Sequence, residues 1–176
     1  GLDNSRGHIS NKQGDVSINT SKQSLINHQG TIASAAMLSI AAGNTDNKEG
    51  VITAEQALSV NADSLNNSRG RLISNGQDIA LNIATQLNNQ VGTIAAQNVV
   101  NINGDLQNNK GVVLSEKGGV RVNSKAQIDN AEGVIQAAQA ATLYSQGVDN
   151  SKGQIRGASV DIHSQGHQIR NGEGMI

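Results

Sequence analysis

The tetrapeptide pattern Asn-x-x-Gly recurs nine times along the 176 residues, always with the same internal spacing. Successive glycines lie 23, 20, 20, 22, 19, 22, 20 and 21 residues apart, a mean of about 21. A period of this length is typical of a solenoid, in which each repeat stacks on its neighbours to bury a continuous core. The asparagines are Asn4, Asn27, Asn47, Asn67, Asn89, Asn108, Asn130, Asn150 and Asn171. The glycines are Gly7, Gly30, Gly50, Gly70, Gly92, Gly111, Gly133, Gly153 and Gly174.

The repeats share the pattern Leu-x-Asn-x-x-Gly-x-Ile, in which other aliphatic residues replace Leu or Ile in some copies and only Thr45 departs at the leading position. A variable stretch and an apolar-x-apolar pair such as Val100 and Ile102 follow. A spacing of two places both side chains of a pair on one face of a β-strand, and β-branched residues favour strands. Length varies at only two places in the repeat, whereas the Asn-x-x-Gly segment keeps its length. We therefore predict an all-β fold, a right-handed parallel β-helix with three short strands per coil and about eight coils. Residues 1–176 are interpreted as a single β-helical segment excised from a longer filament.

Two other structures compete with this interpretation. The alanine-rich stretches 33–42 and 136–142 could form helical turns, but both occupy the same slot of the repeat, where other copies carry a small residue. A tight corner explains that slot better than helix propensity does. A leucine-rich repeat has a similar period, but it needs an L-x-x-L-x-L run before its asparagine and a helical return, and neither is visible.

The repeated asparagine has a physical rationale. It lies two residues after the leading Leu, so both side chains point inward if the segment is a strand. A buried amide is costly unless it is hydrogen-bonded, and asparagines stacked in successive coils can bond to one another. We therefore predict an amide ladder along the axis. The glycine three residues later supplies either a positive φ or the close approach of two backbones in a tight turn.

Composition limits the function classes. Lys and Arg total 13 and Asp and Glu total 14, so global charge does not favour a nucleic-acid partner. There is no Cys or Pro, and Tyr144 is the only aromatic residue. A long, narrow core of stacked aliphatic side chains needs no large aromatics, and strands paired on both edges disfavour Pro.

No pattern in the chain predicts catalysis or a cofactor. His163 and His167 have a spacing that would suit a metal only on a helix, and two solvated histidines are the better interpretation. The acidic residues form no calcium-loop motif, and no nucleophile elbow or phosphate-binding glycine loop is present. We expect a non-enzyme with no metal and no cofactor.

The residues immediately before the repeated glycines form a column in which adjoining charges alternate in sign. The four pairs are Glu49–Arg69, Lys110–Glu132, Glu132–Lys152 and Lys152–Glu173. Like charges one strand spacing apart would repel, so this alternation favours the correct register of the coils. Coincidence explains four opposite pairs equally well.

The copies at residues 2–9 (LDNSRGHI) and 87–94 (LNNQVGTI) resemble the filamentous haemagglutinin repeats of Gram-negative two-partner-secreted exoproteins. That group includes adhesins, haemolysins and contact-dependent growth inhibition toxins. The resemblance covers essentially the whole chain and implies a β-helical shaft on the exterior of the Gram-negative outer membrane. It also implies export through an outer-membrane transporter of the two-partner type, for which the lack of Cys is favourable.

Two functions follow as expectations. The first is a structural shaft or spacer that presents adhesion or toxin-delivery regions of a secreted cell-surface protein. The second is a binding module that recognises a cell-surface receptor or a glycan through one face of the shaft. An enzyme of the β-helical polysaccharide lyase type is the remaining alternative. Because both ends of the sequence lie inside the repeat pattern, we also expect the isolated fragment to associate end to end.

Overall fold

A computed structural model describes all 176 residues as a parallel β-solenoid of 23 short strands without helices. The strands, numbered in chain order, fall into three ladders, one for each part of the repeat. Ladder A contains the leading residue of each copy, and in seven copies this residue has a strand of its own: β1 (Leu2–Asp3), β4 (Leu25–Ile26), β7 (Asn44–Asp46), β10 (Ser64–Asn66), β17 (Ile128–Asp129), β20 (Val148–Asp149) and β23 (Ile169–Arg170).

Ladder B follows the repeated glycine and consists of β2 (His8–Asn11), β5 (Thr31–Ser34), β8 (Val51–Ala54), β11 (Arg71–Ser74), β13 (Thr93–Ala96), β15 (Val112–Ser115), β18 (Val134–Ala137) and β21 (Gln154–Arg156). Ladder C carries the apolar pair and consists of β3 (Val16–Asn19), β6 (Leu38–Ala41), β9 (Leu58–Ala62), β12 (Ile79–Asn88), β14 (Val100–Gln107), β16 (Val120–Asn123), β19 (Ala140–Tyr144) and β22 (Ser159–His163). The all-β solenoid prediction is confirmed, whereas the right hand of the winding stays a prediction.

The register of every ladder follows the sequence columns. In ladder A, Leu65 lies opposite Thr45 on one side and Leu87 on the other. In ladder C, Val100 is paired with Ile79 and Val120. All strand pairs of the three ladders are parallel. The alanine-rich stretches form strands and a corner rather than helical turns.

Most coils contribute one separate strand to each ladder, but two coils do not. β12 and β14 run without a break from ladder C into ladder A, which joins these ladders into one 15-stranded sheet. The register between them shifts between Asn82 and Gln86. This irregularity accommodates the unequal number of residues that the two coils place at this corner, six from Leu81 to Leu87 and four from Ile102 to Leu106.

The core is a single aliphatic column. Its cluster of 32 buried residues contains only Ala, Val, Leu and Ile, so the expected absence of large aromatics holds throughout the interior. The only exception to the apolar inner face of ladder A is Thr45, which is 2% exposed between Leu25 and Leu65.

Candidate functional site

The nine repeated asparagines stack in one column at the corner between ladders A and B. Each of the first eight donates an Nδ2 hydrogen bond to the Oδ1 of the asparagine in the next coil, always at 2.7 Å. Seven members, from Asn27 to Asn150, are fully buried, whereas Asn4 is 7% exposed and Asn171 lies exposed in the last coil. We call this column the inner Asn ladder.

The inner Asn ladder also binds the backbone of the corner. The Nδ2 of Asn89, for example, lies 3.3 Å from the carbonyl oxygen of Gly92 and 3.2 Å from that of Val112 in the next coil. Its Oδ1 accepts from Asn67. Each buried amide therefore satisfies its own polar atoms and connects two coils, as a buried polar group must.

Close approach of two backbones explains the repeated glycine. A Cβ atom on Gly50 would overlap the carbonyl oxygen of Asn27 in the preceding coil and would lie 2.6 Å from the Oδ1 of Asn47. The other alternative, a positive φ at the glycine, is wrong. The positive φ, between 55° and 58°, belongs to the residue before each glycine: Arg6, Gln29, Glu49, Arg69, Val91, Lys110, Glu132, Lys152 and Glu173.

The resulting turn explains why the corner has a constant length. The amide of Gly50 donates to the carbonyl of Asn47 at 3.0 Å, which closes a four-residue β-turn. Only the third residue of this turn, Glu49, has a positive φ, the pattern of a type II turn. An added or deleted residue would break the turn bond and move the asparagine out of the inner Asn ladder.

A third contributor to the corner was missed by the sequence analysis. In six of the nine copies, the residue before the ladder asparagine accepts a hydrogen bond through its side-chain oxygen from the amide two residues later, as Asp149 does from Ser151 at 3.0 Å. The Ser151 hydroxyl also donates to Asp149, and these two hydrogen bonds lower the pKa of that carboxyl. The sequence signal was an Asp or Asn directly before the ladder residue, at Asp3, Asp46, Asn66, Asn88, Asp129 and Asp149.

The column of alternating charges forms ion pairs at two of the four predicted positions. The Arg69 Nη1 lies 3.9 Å from Glu49, and the Lys110 Nζ lies 3.7 Å from Glu132. A hydrogen bond from Gln29, at 2.7 Å, is the main cause of a lowered pKa at Glu49. These groups are exposed, so water screens their attraction and each pair contributes little to stability.

The two histidines considered as metal ligands lie in different surroundings. His163 stacks on Tyr144, with ring centroids 4.4 Å apart and planes within 6° of parallel. The Arg121 guanidinium lies 4.8 Å from the centre of the Tyr144 ring. His167 is exposed in the turn after β22. No group of three or more His, Asp or Glu side chains is arranged to hold a metal ion.

An open groove of about 830 Å³ lies at the corner between ladders C and A. Its lining comes from the same slot of six successive coils, from Asn19–Lys22 in the first to Asn123–Lys125 in the sixth, so it runs along the solenoid axis. We call it the axial groove.

One side of the axial groove carries a second stack of amides, which we call the outer amide row: Asn61, Asn82, Asn103 and Asn123. Each amide after Asn61 donates to the one in the preceding coil, at 3.0 Å for Asn82 to Asn61 and 2.8 Å for the next two bonds. Unlike the buried members of the inner Asn ladder, Asn61, Asn82 and Asn103 are exposed, and Asn123 is half-buried. The sequence signal was an Asn directly after the second residue of the apolar pair.

A comparison with protein-family models assigns the repeat. The family described as haemagglutinin repeat matches residues 9–77, 57–131 and 118–174, which together cover nearly the whole chain. The chain belongs to the haemagglutinin repeat family. No curated protein and no solved structure matched the chain.

Haemagglutinin repeat proteins are secreted or lie at the cell surface, and the family is associated with two-partner secretion. A haemagglutinin repeat solenoid fits the filamentous shaft of a secreted protein. This β-solenoid is a structural fold that is not typical of enzymes. No helix of the structure has the length and apolar character needed to cross a membrane.

Proposed function

We propose that residues 1–176 form a rigid segment of the shaft of a filamentous exoprotein on the Gram-negative cell surface. The observation that carries the proposal is the unbroken inner Asn ladder, in which every coil is bonded to the next at the same 2.7 Å. At ~4.8 Å per coil, about eight coils give a rod roughly 40 Å long. Such a rod holds other regions of the protein at a fixed distance from the cell.

We also propose that the chain leaves the cell through an outer-membrane transporter of the two-partner type and folds outside. The absence of Cys supports this route, because a disulfide formed in the periplasm would block the passage of an extended chain. A folded coil offers its open strand edges as a template for the next coil, so the rod can grow as the chain emerges.

A second candidate function is that the shaft itself binds a cell-surface receptor or glycan. The axial groove favours it, because the groove is a continuous concave surface with exposed polar groups. Adhesins and growth inhibition toxins are the two classes of parent protein in which either function would operate.

An exchange experiment separates the two functions. Residues 1–176 of the parent protein are replaced by a haemagglutinin repeat segment with the same number of coils and a different surface. A spacer predicts that adhesion or toxin delivery is retained, and that a flexible Gly-Ser segment of equal residue number does not replace it. Loss of function in the haemagglutinin repeat exchange, with normal export, would reject the spacer and favour the binding module.

A further inference from the structure

We propose that the axial groove binds a single neutral, linear oligosaccharide that lies along the solenoid axis. This inference deepens the second candidate function above and rests on it. The argument depends on the dimensions of the groove, the charges of its lining and the spacing of its hydrogen-bonding groups.

The dimensions of the groove limit the occupant to one extended chain. Six coils span five strand spacings, or ~24 Å, so the volume of about 830 Å³ is spread along a length that suits one extended chain. An α-helix is ~10–12 Å in diameter and fits so elongated and small a volume less well. A nucleic-acid duplex is wider still.

The charges of the lining favour an uncharged occupant. The lining contains two cations, Lys22 and Lys125, and two anions, Asp63 and Asp105. The Asp105 carboxylate already accepts hydrogen bonds from the backbone amides of Lys125 and Ala126, at 2.8 and 3.1 Å. A sulfated or otherwise anionic polymer would need an excess of basic side chains along its length, and the groove has none.

The outer amide row offers one free donor and one free acceptor in each of its middle coils. A primary amide has two N–H donors and two acceptor lone pairs. Asn82 and Asn103 each use one donor and one acceptor within the row. Both residues are exposed and line the axial groove, so the remaining N–H and lone pair of each amide are available to a ligand there. Hydroxyl groups, which both donate and accept, are the complementary partners.

The spacing of the row distinguishes a glycan from a peptide. The amides repeat at ~4.8 Å, whereas an extended peptide presents its backbone groups to one side only every second residue, or ~6.6–6.8 Å. A peptide chain therefore falls out of register with the row by its second bond. A pyranose unit in an extended chain advances by close to one strand spacing, so each sugar can meet one coil. Ala62 and Ile83 add an apolar lining for the less polar faces of the rings.

Aromatic stacking takes no part in the proposed binding. Tyr144 continues the column of Asn123, but its ring already stacks on His163 and lies under the Arg121 guanidinium. The ring is therefore already engaged by two side chains of its own chain. Recognition must depend on the amides, which defines the variants for a test.

The test is isothermal titration calorimetry of the 176-residue chain with neutral, extended β-1,4-linked oligosaccharides of the cello- and chito-series, in lengths below, at and above the hexasaccharide. We expect at least one of them to bind, with affinity that rises with length up to about five or six sugars, the number of coils in the groove, and then stays constant. A heparin hexasaccharide and an uncharged extended decapeptide are the comparison ligands and are expected to bind more weakly.

Matched variants locate the binding. The double variant N82A/N103A should weaken binding by about tenfold or more, because each substitution removes both hydrogen bonds of one amide. N101A is the control, since Asn101 is exposed on the same strand as Asn103 but lies outside the groove lining. Circular dichroism verifies that all variants are folded, and the single variant N103A is used if the double variant is not.

Three results would overturn the proposal: no binding of any neutral hexasaccharide, stronger binding of heparin or the peptide, or equal affinities of N101A and N82A/N103A. These results leave the spacer function intact, because the exchange experiment tests it in the parent protein without reference to the groove.

Discussion

Replacement of Thr45 by Val should stabilise the solenoid. The Thr45 hydroxyl is the only buried side-chain oxygen or nitrogen without a hydrogen-bond partner. It lies in ladder A between Leu25 and Leu65, with 2% of the residue exposed. Val has the same shape as Thr and replaces the hydroxyl by a methyl group, so the substitution removes an uncompensated polar group without opening a cavity.

The magnitude follows from two contributions. A buried group without a partner costs about 1–3 kcal/mol, and burial of one more methyl group contributes roughly 0.8 kcal/mol. The free energy of unfolding should therefore rise by about 1–3 kcal/mol, since part of the methyl contribution is already included in the apolar replacement. For a chain of this length, each kcal/mol corresponds to a rise in Tm of ~2–4 °C.

Urea denaturation followed by far-ultraviolet circular dichroism measures the change, with equal m-values as the condition for comparison. T45S is the matched control, because it keeps the hydroxyl and removes the methyl group, and it should destabilise the chain by about 1 kcal/mol. A T45V protein that is less stable than the parent would refute the reasoning, because the hydroxyl must then have a partner whose loss costs more than its burial.

Three further predictions concern other columns of the repeat. N89A should lower the free energy of unfolding by ~1–3 kcal/mol, because it strands the amides of Asn67 and Asn108. The control Q90A, at the exposed neighbour, should be close to neutral, and equal effects of the two substitutions in urea denaturation would contradict this prediction. V91N should raise the free energy of unfolding by about 1 kcal/mol, because a β-branched residue with a φ of 58° is strained and Asn tolerates this conformation. A urea midpoint lower than that of the unsubstituted chain would contradict it. Calcium, zinc or a chelator should leave the Tm unchanged, because we expect no metal site, and a ligand that binds only the folded state would raise the Tm. A shift of several degrees with stoichiometric metal would contradict this and direct attention to His163 and His167.

Much of the fold could be predicted because the same residue pattern occurs nine times, so each position of the repeat can be compared across nine copies. A single Leu-x-Asn segment is ambiguous, but a column of nine with constant spacing identifies a strand, its inward face and its register. The pairing of Leu65 with Leu87 and of Val100 with Val120 follows from aligning the copies. Fusion of β12 with the next face was not predictable, because it depends on the local path of a corner whose length varies.

The corner and the groove show where the sequence was insufficient. Arg, Gln, Glu, Lys and Val all occupy the positive-φ position, so the residue type gave no sign of the left-handed conformation. From the sequence, we therefore considered a positive φ at the neighbouring glycine instead. The outer amide row had a sequence signal at Asn82 and Asn103, but its meaning required the groove. The groove forms from corners of unequal length, and a periodic pattern does not describe how such corners fold.

The two amide rows separate stability from recognition. Both stack the same side chain at the same spacing, but Asn89 is fully buried whereas Asn103 is exposed. Removal of the buried amide strands its neighbours away from water, so a substitution in the inner Asn ladder lowers the stability of the rod. Removal of the exposed amide lets water replace the lost bonds, so stability changes little. The outer face can therefore vary without loss of the rod, and this is the property that a shaft needs if one of its faces is to acquire a ligand.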